Sequence, residues 1–264
     1  MSSNIHQTAI ISDEAVIGDN VEIGPYSIIG AGVRLANDVK LHSHVVVDGD
    51  TDIGEGTQIF PFASIGTPPQ DLKFAGEKSK LIIGKNNKIR EHSTMNPGTK
   101  DGDMETTVGD NCLFMMATHV AHDCHVGNNV IMANNATLGG HVHVGNFAVI
   151  GGLSAVHQFI RIGDYAVIGG MSGVESDVIP FGRVKGERAF LAGLNLIGME
   201  RHGFEKSDIK NIQKAVNLMF DEDGTLDQRL ARLSESYVGD TQVMSIIEFA
   251  KNKTRFPLCQ PPKK

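Results

Sequence analysis

Residues 125–174 read HVGNNVIMANNATLGGHVHVGNFAVIGGLSAVHQFIRIGDYAVIGGMSGV, and every sixth residue from Val126 onward is hydrophobic. The same spacing begins at Ile5, and with two interruptions it fills all 26 positions of the pattern with hydrophobic residues. A period of six fits neither the alternation of a strand nor the 3.6-residue period of a helix face. It is the hexapeptide pattern of a coil with three flat sides, in which each hexad forms one short strand and one corner.

The pattern predicts a mainly β fold in which eighteen residues complete one turn and equivalent residues stack at about 4.8 Å. The hydrophobic residues point inward, and the glycine that follows in 13 of the 26 hexads is interpreted as easing the tight backbone of the corner. Parallel crossovers are ordinarily right-handed. The left hand of the coil is therefore taken from resemblance to known hexapeptide-repeat proteins. We predict a left-handed parallel β-helix over residues 1–187.

Two stretches lack the pattern and are predicted to be external loops, at about 67–80 and 100–107. Loops mounted on a rigid scaffold are common places for binding residues.

The pattern ends near Pro180, and residues 188–264 are predicted to form a helical domain. Three segments have helical apolar spacing, and Thr225 with Gln228 is typical of a capping box. The helices are expected around 207–220, 225–237 and 240–251, and one role for them is to cover the open end of the coil.

Composition excludes several classes of protein. The net charge of -7 argues against a nucleic-acid-binding protein. No apolar run has the length that a bilayer requires, and the N-terminus lacks the pattern of a secretory signal. Three cysteines cannot all pair with one another, so a reducing cytoplasm is the expected location.

Histidines are concentrated between His119 and His157. Adding one turn to His122 gives Gly140 and a second turn gives Gln158, so these residues are predicted to stack in one column. By the same sum Asp123 lies under His141. An imidazole beside a carboxylate and below a glycine N–H has the parts for general-base acyl transfer. The base takes a proton from a hydroxyl, the carboxylate orients the base, and the N–H stabilises the oxyanion.

Other interpretations of the histidines compete with this one. A zinc site built from His119, His122 and either Cys124 or His125 would indicate a trimeric zinc hydratase of the γ-carbonic-anhydrase type. The small-residue core position of Cys124 argues against it as a ligand, and we expect no metal. A non-catalytic scaffold is the third interpretation, and His125 and His143 are as well explained as solvated side chains or trimer contacts.

Four segments, in order and spacing, carry a family resemblance: QDLKFAGE from Gln70, AHDCHVGN from Ala121, ANNATLGGHVHV from Ala133 and IGGLSAVHQF from Ile150. They resemble the UDP-N-acetylglucosamine 3-O-acyltransferase family, and the likeness covers essentially the whole chain. The resemblance implies transfer of a 3-hydroxyacyl chain from acyl carrier protein to the 3-position of UDP-N-acetylglucosamine, the first step of lipid A biosynthesis. It also implies a homotrimer with active sites between subunits and no cofactor.

Carried over residue by residue, His122 resembles the general base of the family, Asp123 its partner and Gly140 the backbone donor to the thioester carbonyl. The positions that resemble substrate-binding residues are Gln70, Asp71, Lys73, His119, His141, His157, Gln158, Asn195 and Arg201. Gly170, with Met171 beside it, matches the floor of the acyl groove. Glycine there predicts an acyl chain of about 12 to 14 carbons, on the premise of a groove on the order of 13 Å running from His122.

The chain departs from the common pattern of the family at three positions. Asn96 stands where many members have histidine, and Ile197 and His202 stand where glutamate and arginine are frequent. These changes leave two acceptors open, UDP-N-acetylglucosamine and its 3-amino analogue. Because acyl carrier protein is acidic, it is expected to dock on a local basic surface. The candidates are Arg161, Arg183, Lys185 and Arg188.

Overall fold

The computed structural model describes residues 4–262, which form 28 short strands and four helices. The strands wind into three sheets, all parallel apart from the last strand of one of them, and the predicted left-handed parallel β-helix is confirmed. Numbered in chain order, sheet A contains β1 (Asn4–Ile5), β4 (Glu22–Ile23), β7 (Lys40–Leu41), β10 (Gln58–Ile59), β13 (Lys88–Ile89), β16 (Leu113–Phe114), β19 (Ile131–Met132), β22 (Val149–Ile150), β25 (Val167–Ile168), β27 (Gly182–Lys185) and β28 (Phe190–Leu194).

Sheets B and C complete the prism. Sheet B contains β2 (Ile10–Ile11), β5 (Ile28–Ile29), β8 (Val46–Val47), β11 (Ser64–Ile65), β14 (Thr94–Met95), β17 (His119–Val120), β20 (Thr137–Leu138), β23 (Ala155–Val156) and β26 (Gly173–Val174). Sheet C contains β3 (Val16–Ile17), β6 (Val33–Leu35), β9 (Asp50–Ile53), β12 (Lys80–Ile83), β15 (Glu105–Val108), β18 (His125–Val126), β21 (His143–Val144) and β24 (Arg161–Ile162). The chain passes from A to B to C and back to A, and we name the corners A–B, B–C and C–A accordingly.

The residues of the six-residue pattern line the inside of the prism. Leu138, Ile150 and Phe114 have no exposed surface, and Ile168 has 1%. Burial of one such side chain stabilises the fold by about 1.5–3 kcal/mol. Pairs such as His119↔Thr137 and His125↔His143 fix the register of eighteen residues per turn.

The glycines that follow the inner residues serve a different purpose from the predicted one. A Cβ on Gly24 would lie 2.7 Å from the carbonyl carbon of His42 in the next turn, and one on Gly127 would lie 2.9 Å from the nitrogen of Asn146. Close approach of the next turn therefore excludes a side chain at these positions. The left-handed residue of the corner comes two positions later and is usually not glycine, as at Asp123 with φ of 57°.

Both interruptions of the pattern leave the coil as loops. Lys80 pairs with Asp50, thirty residues earlier, and Glu105 pairs with Lys80, twenty-five residues earlier, where a plain turn has eighteen. The second loop is shorter than predicted, because Glu105–Val108 is strand β15. The sequence of β15 is largely polar, yet Thr106 and Val108 point inward and are buried in the coil.

Four helices follow the coil: α1 (Leu196–Arg201), α2 (Lys206–Met219), α3 (Leu226–Ser236) and α4 (Thr241–Lys251). The capping box of Thr225 and Gln228 is confirmed at the start of α3. Strand β28 lies inside the segment predicted to be helical and pairs antiparallel with β27. In residues 4–262 we find no helix with the length and apolar character needed to cross a membrane.

The helical domain is fixed to the coil through a buried ion pair. Arg161 on β24 donates to Asp177, whose side chain is fully buried, at 2.7 and 2.9 Å, and its guanidinium lies over the ring of Phe249 in α4. The backbone of Asp177 also pairs with Leu258. The charge of Arg161 is therefore balanced inside the fold, and its side chain is mostly buried. Its part in docking a carrier protein stays a prediction. Arg183, Lys185 and Arg188 are exposed.

Candidate active site

His122 lies at the B–C corner, two positions after the inner residue Val120. Its Nδ1 is 2.8 Å from Oδ2 of Asp123. Gly140 follows one turn later, as the column predicts, and a Cβ on Gly140 would lie 2.7 Å from Nε2 of His122. The imidazole therefore lies against a glycine backbone, and a side chain at position 140 would displace it.

The Asp123 carboxylate is fully buried and is held from several sides. The Thr99 N–H donates to Oδ1 at 3.0 Å, and the Thr99 hydroxyl donates to Oδ2 at 2.7 Å. The N–H of Asp123 donates to the Thr106 hydroxyl at 2.7 Å. Burial raises the pKa of Asp123, but the hydrogen bonds from His122 and Thr99 outweigh it and hold that pKa below its ordinary value.

This carboxylate determines which nitrogen of His122 is available for chemistry. An ionised carboxylate only accepts hydrogen bonds, so Nδ1 carries the proton and Nε2 has a free lone pair. Within residues 4–262, Nε2 of His122 and the N–H of Gly140 have no hydrogen-bond partner. The His122 side chain is 17% exposed. A basic nitrogen and a free N–H thus lie together beside an opening to solvent.

Two further histidines line the same corner. The ring of His141 meets that of His122 edge to face, with centroids 5.0 Å apart, and stacks on Phe159 at 4.3 Å. Burial lowers the pKa of His141, although the Asp123 carboxylate opposes this shift. His119 lies on β17 with Nδ1 2.7 Å from the Thr94 hydroxyl, and burial lowers its pKa as well. Both rings are therefore held in the neutral form beside the base.

His157 and Gln158 lie one turn beyond Gly140 at the same corner and are exposed. His157 Nδ1 donates to the Gln158 carbonyl at 3.1 Å, and its ring meets Phe256 edge to face. The column predicted from His122 through Gly140 to Gln158 thus forms one continuous edge.

The two loops meet beside this corner. Lys73 forms an ion pair of 3.2 Å with Asp101, and its N–H donates to the Asp71 carboxylate at 3.0 Å. Gln70 is exposed in the same loop. Lys73 therefore contacts the second loop, which also supplies Thr99.

Asn195 and Arg201 lie elsewhere, on α1. Asn195 caps this helix by accepting from the Gly198 N–H at 3.0 Å, and it donates to the Tyr165 carbonyl at the C–A corner at 2.9 Å. Arg201 is exposed in the last turn. Within one chain, these two residues lie away from His122.

Gly170 lies at a third place, the A–B corner, because it follows the sheet A residue Ile168 by two positions. Beside it, Met171 is 73% exposed. The forty-eight residues between His122 and Gly170 are not a whole number of eighteen-residue turns, so the two residues occupy different corners. The groove length of about 13 Å, summed along one column of a single chain, is therefore wrong, whereas the role of Gly170 as the floor of the acyl groove stays a prediction.

The three departures from the family pattern have different surroundings. Asn96 is buried and donates to the carbonyl of Thr67 at 3.0 Å, so it ties the first loop to the coil. The ring of His202 packs on Phe147 and Tyr165 at the C–A corner. Ile197 is 65% exposed.

The zinc site that competes with the acyl-transfer interpretation is not assembled. The Cys124 thiol is buried and donates to the Gly139 carbonyl, and burial raises its pKa to about 12. His125 lies on sheet C and pairs with Asp103. Among the described residues, the set that comes together is His122, Asp123 and His141, whose ligand atoms lie within 4.8 Å of one another. A metal there would have to replace the hydrogen bond between His122 and Asp123.

Several residues of the site were not predicted. Thr99 and Thr106 form hydrogen bonds with Asp123. The six-residue pattern could not predict the contact of Thr99, because this residue lies where the pattern is interrupted. Phe159 lies eighteen residues after His141 and could have been found from the period. The guanidinium of Arg255 lies 5.4 Å from the centre of the Phe159 ring, a long-range contact for which the sequence holds no signal.

Comparison with known proteins covers both parts of the chain. The profile described as "Udp N-acetylglucosamine O-acyltransferase; Domain 2" matches residues 177–259. The profile of the bacterial transferase hexapeptide (six repeats) matches residues 2–37, 14–49 and 105–140.

Relatives and solved structures match over nearly the full length. The acyl-[acyl-carrier-protein]–UDP-N-acetylglucosamine O-acyltransferase of Rickettsia canadensis is 54% identical over 258 residues, with 98% of both chains covered. A crystal structure of UDP-N-acetylglucosamine acyltransferase superposes with a TM-score of 0.95 at 42% identity, covering 99% of this chain and 100% of that one. LpxA from Acinetobacter baumannii gives 0.93 at 42% identity, covering 96% and 99%.

Proposed function

The chain belongs to the UDP-N-acetylglucosamine O-acyltransferase family, and we infer that it transfers an acyl group from acyl carrier protein to UDP-N-acetylglucosamine. We propose that the group is a 3-hydroxyacyl chain and that it enters the 3-position of the sugar, as the first step of lipid A biosynthesis. The observation that carries the mechanism is His122, hydrogen-bonded to buried Asp123 and seated against Gly140.

In the proposed reaction Nε2 of His122 takes the proton of the sugar 3-hydroxyl while that oxygen attacks the thioester carbonyl. The Gly140 N–H donates to the oxyanion, and Asp123 stabilises the imidazolium. Collapse of the tetrahedral intermediate breaks the C–S bond, and the departing sulfur takes the proton from His122. No covalent enzyme intermediate forms, and no resident cofactor is needed, because the acyl group arrives already activated as a thioester.

We propose that the working form is a homotrimer. The predicted site residues lie at all three corners of one prism: His122 at B–C, Gly170 at A–B, and Asn195 beside C–A. Residues at different corners can converge on one substrate only when prisms pack side by side. The outer face of sheet A adds an apolar column of Leu113, Ile131 and Val149, which is suited to such packing.

Mixing two inactive variants tests the shared site. If His122 and Arg201 act on one substrate from different chains, mixed trimers of His122→Ala and Arg201→Ala regain part of the activity. Native mass spectrometry gives the number of 28.4 kDa chains in the assembly. No recovery in verified mixed trimers contradicts a shared site, and a monomeric mass contradicts the trimer.

We further propose that acyl carrier protein docks on the exposed cations Arg183, Lys185 and Arg188, because the carrier is acidic. A cytoplasmic location agrees with the chemistry of this donor. Reversal of these three charges is expected to raise KM for the carrier protein with little change in kcat. An unchanged KM would place the docking surface elsewhere.

The alternative of a zinc hydratase receives no support. The relatives and solved structures named above are acyltransferases, and two of the predicted zinc ligands have other partners, Cys124 the Gly139 carbonyl and His125 the Asp103 carboxylate. A non-catalytic scaffold does not account for a buried carboxylate hydrogen-bonded to a partly exposed imidazole.

Mass spectrometry of the product tests the function directly. Purified protein is given a mixture of 3-hydroxyacyl carrier proteins with UDP-N-acetylglucosamine or its 3-amino analogue. We expect one acyl chain on the 3-position, with 12 to 14 carbons preferred, since Gly170 leaves room at the A–B corner. Preference for ten carbons would reject the length, and absence of any acylated sugar would reject the function. The analogue is included because Asn96 replaces a histidine that is common in the family.

A further inference from the structure

The insertion between β14 and β15 folds over the Asp123 carboxylate. Seven residues more than a plain turn separate Lys80 from Glu105, and residues 98–104, here called the clasp loop, lie in this excursion. A Cβ on Gly102 would lie 2.3 Å from Cγ of Asp123, so the backbone of the loop packs directly on the carboxylate. The insertion therefore forms the wall that removes Asp123 from water.

Thr99 supplies most of the hydrogen bonds that replace this water. Its N–H and hydroxyl reach both carboxylate oxygens, and Thr99 itself is buried. Without the Thr99 hydroxyl, the only side chain among the described residues that still donates to Oδ2 of Asp123 would be His122. A buried carboxylate with fewer donors is poorly stabilised as an anion and is free to rotate.

The His122–Asp123 pair has a counterpart nearby, the His125–Asp103 pair, whose carboxylate is exposed. The Thr107 hydroxyl lies 2.9 Å from Nδ1 of His125, and Nε2 of that ring bonds to Asp103. The Asp103 side chain is 68% exposed, against 0% for Asp123. Thr99 therefore lies beside the His122–Asp123 pair and Thr107 beside the His125–Asp103 pair. Of the two carboxylates, the clasp loop buries that of Asp123 alone.

We propose that Thr99, presented by the clasp loop, is a positioning residue for acyl transfer: it fixes the Asp123 carboxylate so that His122 keeps Nε2 free and aimed past Gly140. Thr99 does not touch the substrate in this arrangement. The inference rests on the proposed role of His122 as the base. On this proposal, the insertion that interrupts the repeat supplies the residue that holds the His122–Asp123 pair in its catalytic arrangement.

Three substitutions test the proposal. Thr99→Val keeps the shape and the backbone N–H but removes the hydroxyl, and we expect kcat to fall about tenfold with KM nearly unchanged. Thr99→Ser restores the hydroxyl and is expected to stay within about twofold of the parent. Thr107→Val, the matched control, leaves kcat unchanged.

A pH profile separates positioning from packing. The groups facing Asp123 are His122 and His141, with Asp71 and Asp103 beyond them. Loss of a donor raises the pKa of Asp123, so the acidic limb of kcat, which reports the coupled protonation of the His122–Asp123 pair, moves to higher pH in Thr99→Val. Thr99→Ser keeps the parental limb. A threonine that only packs would change the thermal midpoint and leave this limb in place.

A measurement without substrate keeps this inference distinct from the proposed function. The ¹⁵N shifts of the His122 ring report the Nδ1–H tautomer, which we expect to be dominant in the parent and mixed in Thr99→Val. Gly102→Ala, which pushes on the same carboxylate, is expected to have the same effect.

An unchanged tautomer in both variants, or equal loss of kcat in Thr99→Val and Thr99→Ser, would overturn the positioning role. An inactive parent with the expected tautomer change would overturn the proposed function and leave the positioning of His122 supported.

Discussion

Two corners of the same prism, A–B and B–C, have histidines in their columns of stacked rings, and only the B–C corner is arranged for chemistry. At the A–B corner Tyr26, His44, Phe62 and His92 stack in a ladder with centroids 5.1 to 5.2 Å apart. Each of these residues occupies the left-handed position of its corner. The eighteen-residue register therefore produces histidine stacking without any functional requirement.

The B–C corner differs through what lies beside its histidines. Within residues 4–262, no carboxylate bonds to His44 or His92, whereas His122 bonds to a fully buried Asp123. The A–B ladder is exposed along its length, whereas at the B–C corner the clasp loop covers Asp123. The coil therefore places the histidines, whereas the insertion and the buried Asp123 carboxylate make one of them reactive.

Removal of the base should have the largest effect. His122→Ala is expected to lower kcat by about 10² or more, the scale of a general base, with the assembly preserved. His44→Ala, from the ladder of the other corner, should leave kcat unchanged. Steady-state turnover with an acyl carrier protein substrate gives both values, and similar losses in the two variants would erase the distinction between the corners.

Neutralisation of the buried anion should come next. Asp123→Asn places an amide opposite the two donors of Thr99, so the hydrogen bond to His122 is weakened, and we expect kcat to fall between about tenfold and a hundredfold. Asparagine tolerates the left-handed φ of 57°, so the corner should keep its fold.

Asp103→Asn is the control for this prediction, because it changes the exposed partner of His125. Its kcat is expected to match that of the parent. Equal losses in Asp103→Asn and Asp123→Asn would show that burial of the carboxylate does not matter.

Filling the space beside the imidazole should have a smaller effect. A Cβ on Gly140 would lie 2.6 Å from Cε1 of His122, so Gly140→Ala forces the ring to turn away from Asp123. We expect a loss of kcat of about tenfold with the N–H of residue 140 still present. Gly152→Ala meets no atom closer than 3.2 Å at the A–B corner and should fold and turn over normally. Full activity of Gly140→Ala would mean that the ring does not need its observed place.

The sequence predicted the coil well because its signal is local and repeated. One inward residue per hexad is enough to fix the sheets, and the helical spacing of Ile209, Ile212 and Val216 marked α2. Helix α1 has six residues, too few to show a period, and it was missed. Strand β28 was missed because it pairs antiparallel, outside the repeat.

The same arithmetic explains which parts of the site were predicted. His122, Gly140 and Asp123 belong to the repeat, so their columns could be summed. Thr99 stands in an insertion whose path the period does not encode. Gly170 shows the limit of this arithmetic, because the forty-eight residues from His122 already indicated a different corner, so a groove length summed along one column does not hold.

The smallest effect concerns the dependence of stability on pH. Burial lowers the pKa of His119 from its ordinary value of 6.5. Below pH 6.5, His119 is therefore protonated in the unfolded chain but still neutral in the folded chain. The free energy of unfolding should therefore fall as pH decreases from about 7.5 through 6.5, until the folded pKa is reached. His119→Gln should flatten this part of the curve, measured by urea unfolding at one protein concentration. Thr94→Val removes the hydroxyl beside Nδ1 but leaves the ring buried, so it should keep the slope. If Thr94→Val flattens the curve as much as His119→Gln does, the hydrogen bond rather than burial sets the proton affinity of this corner.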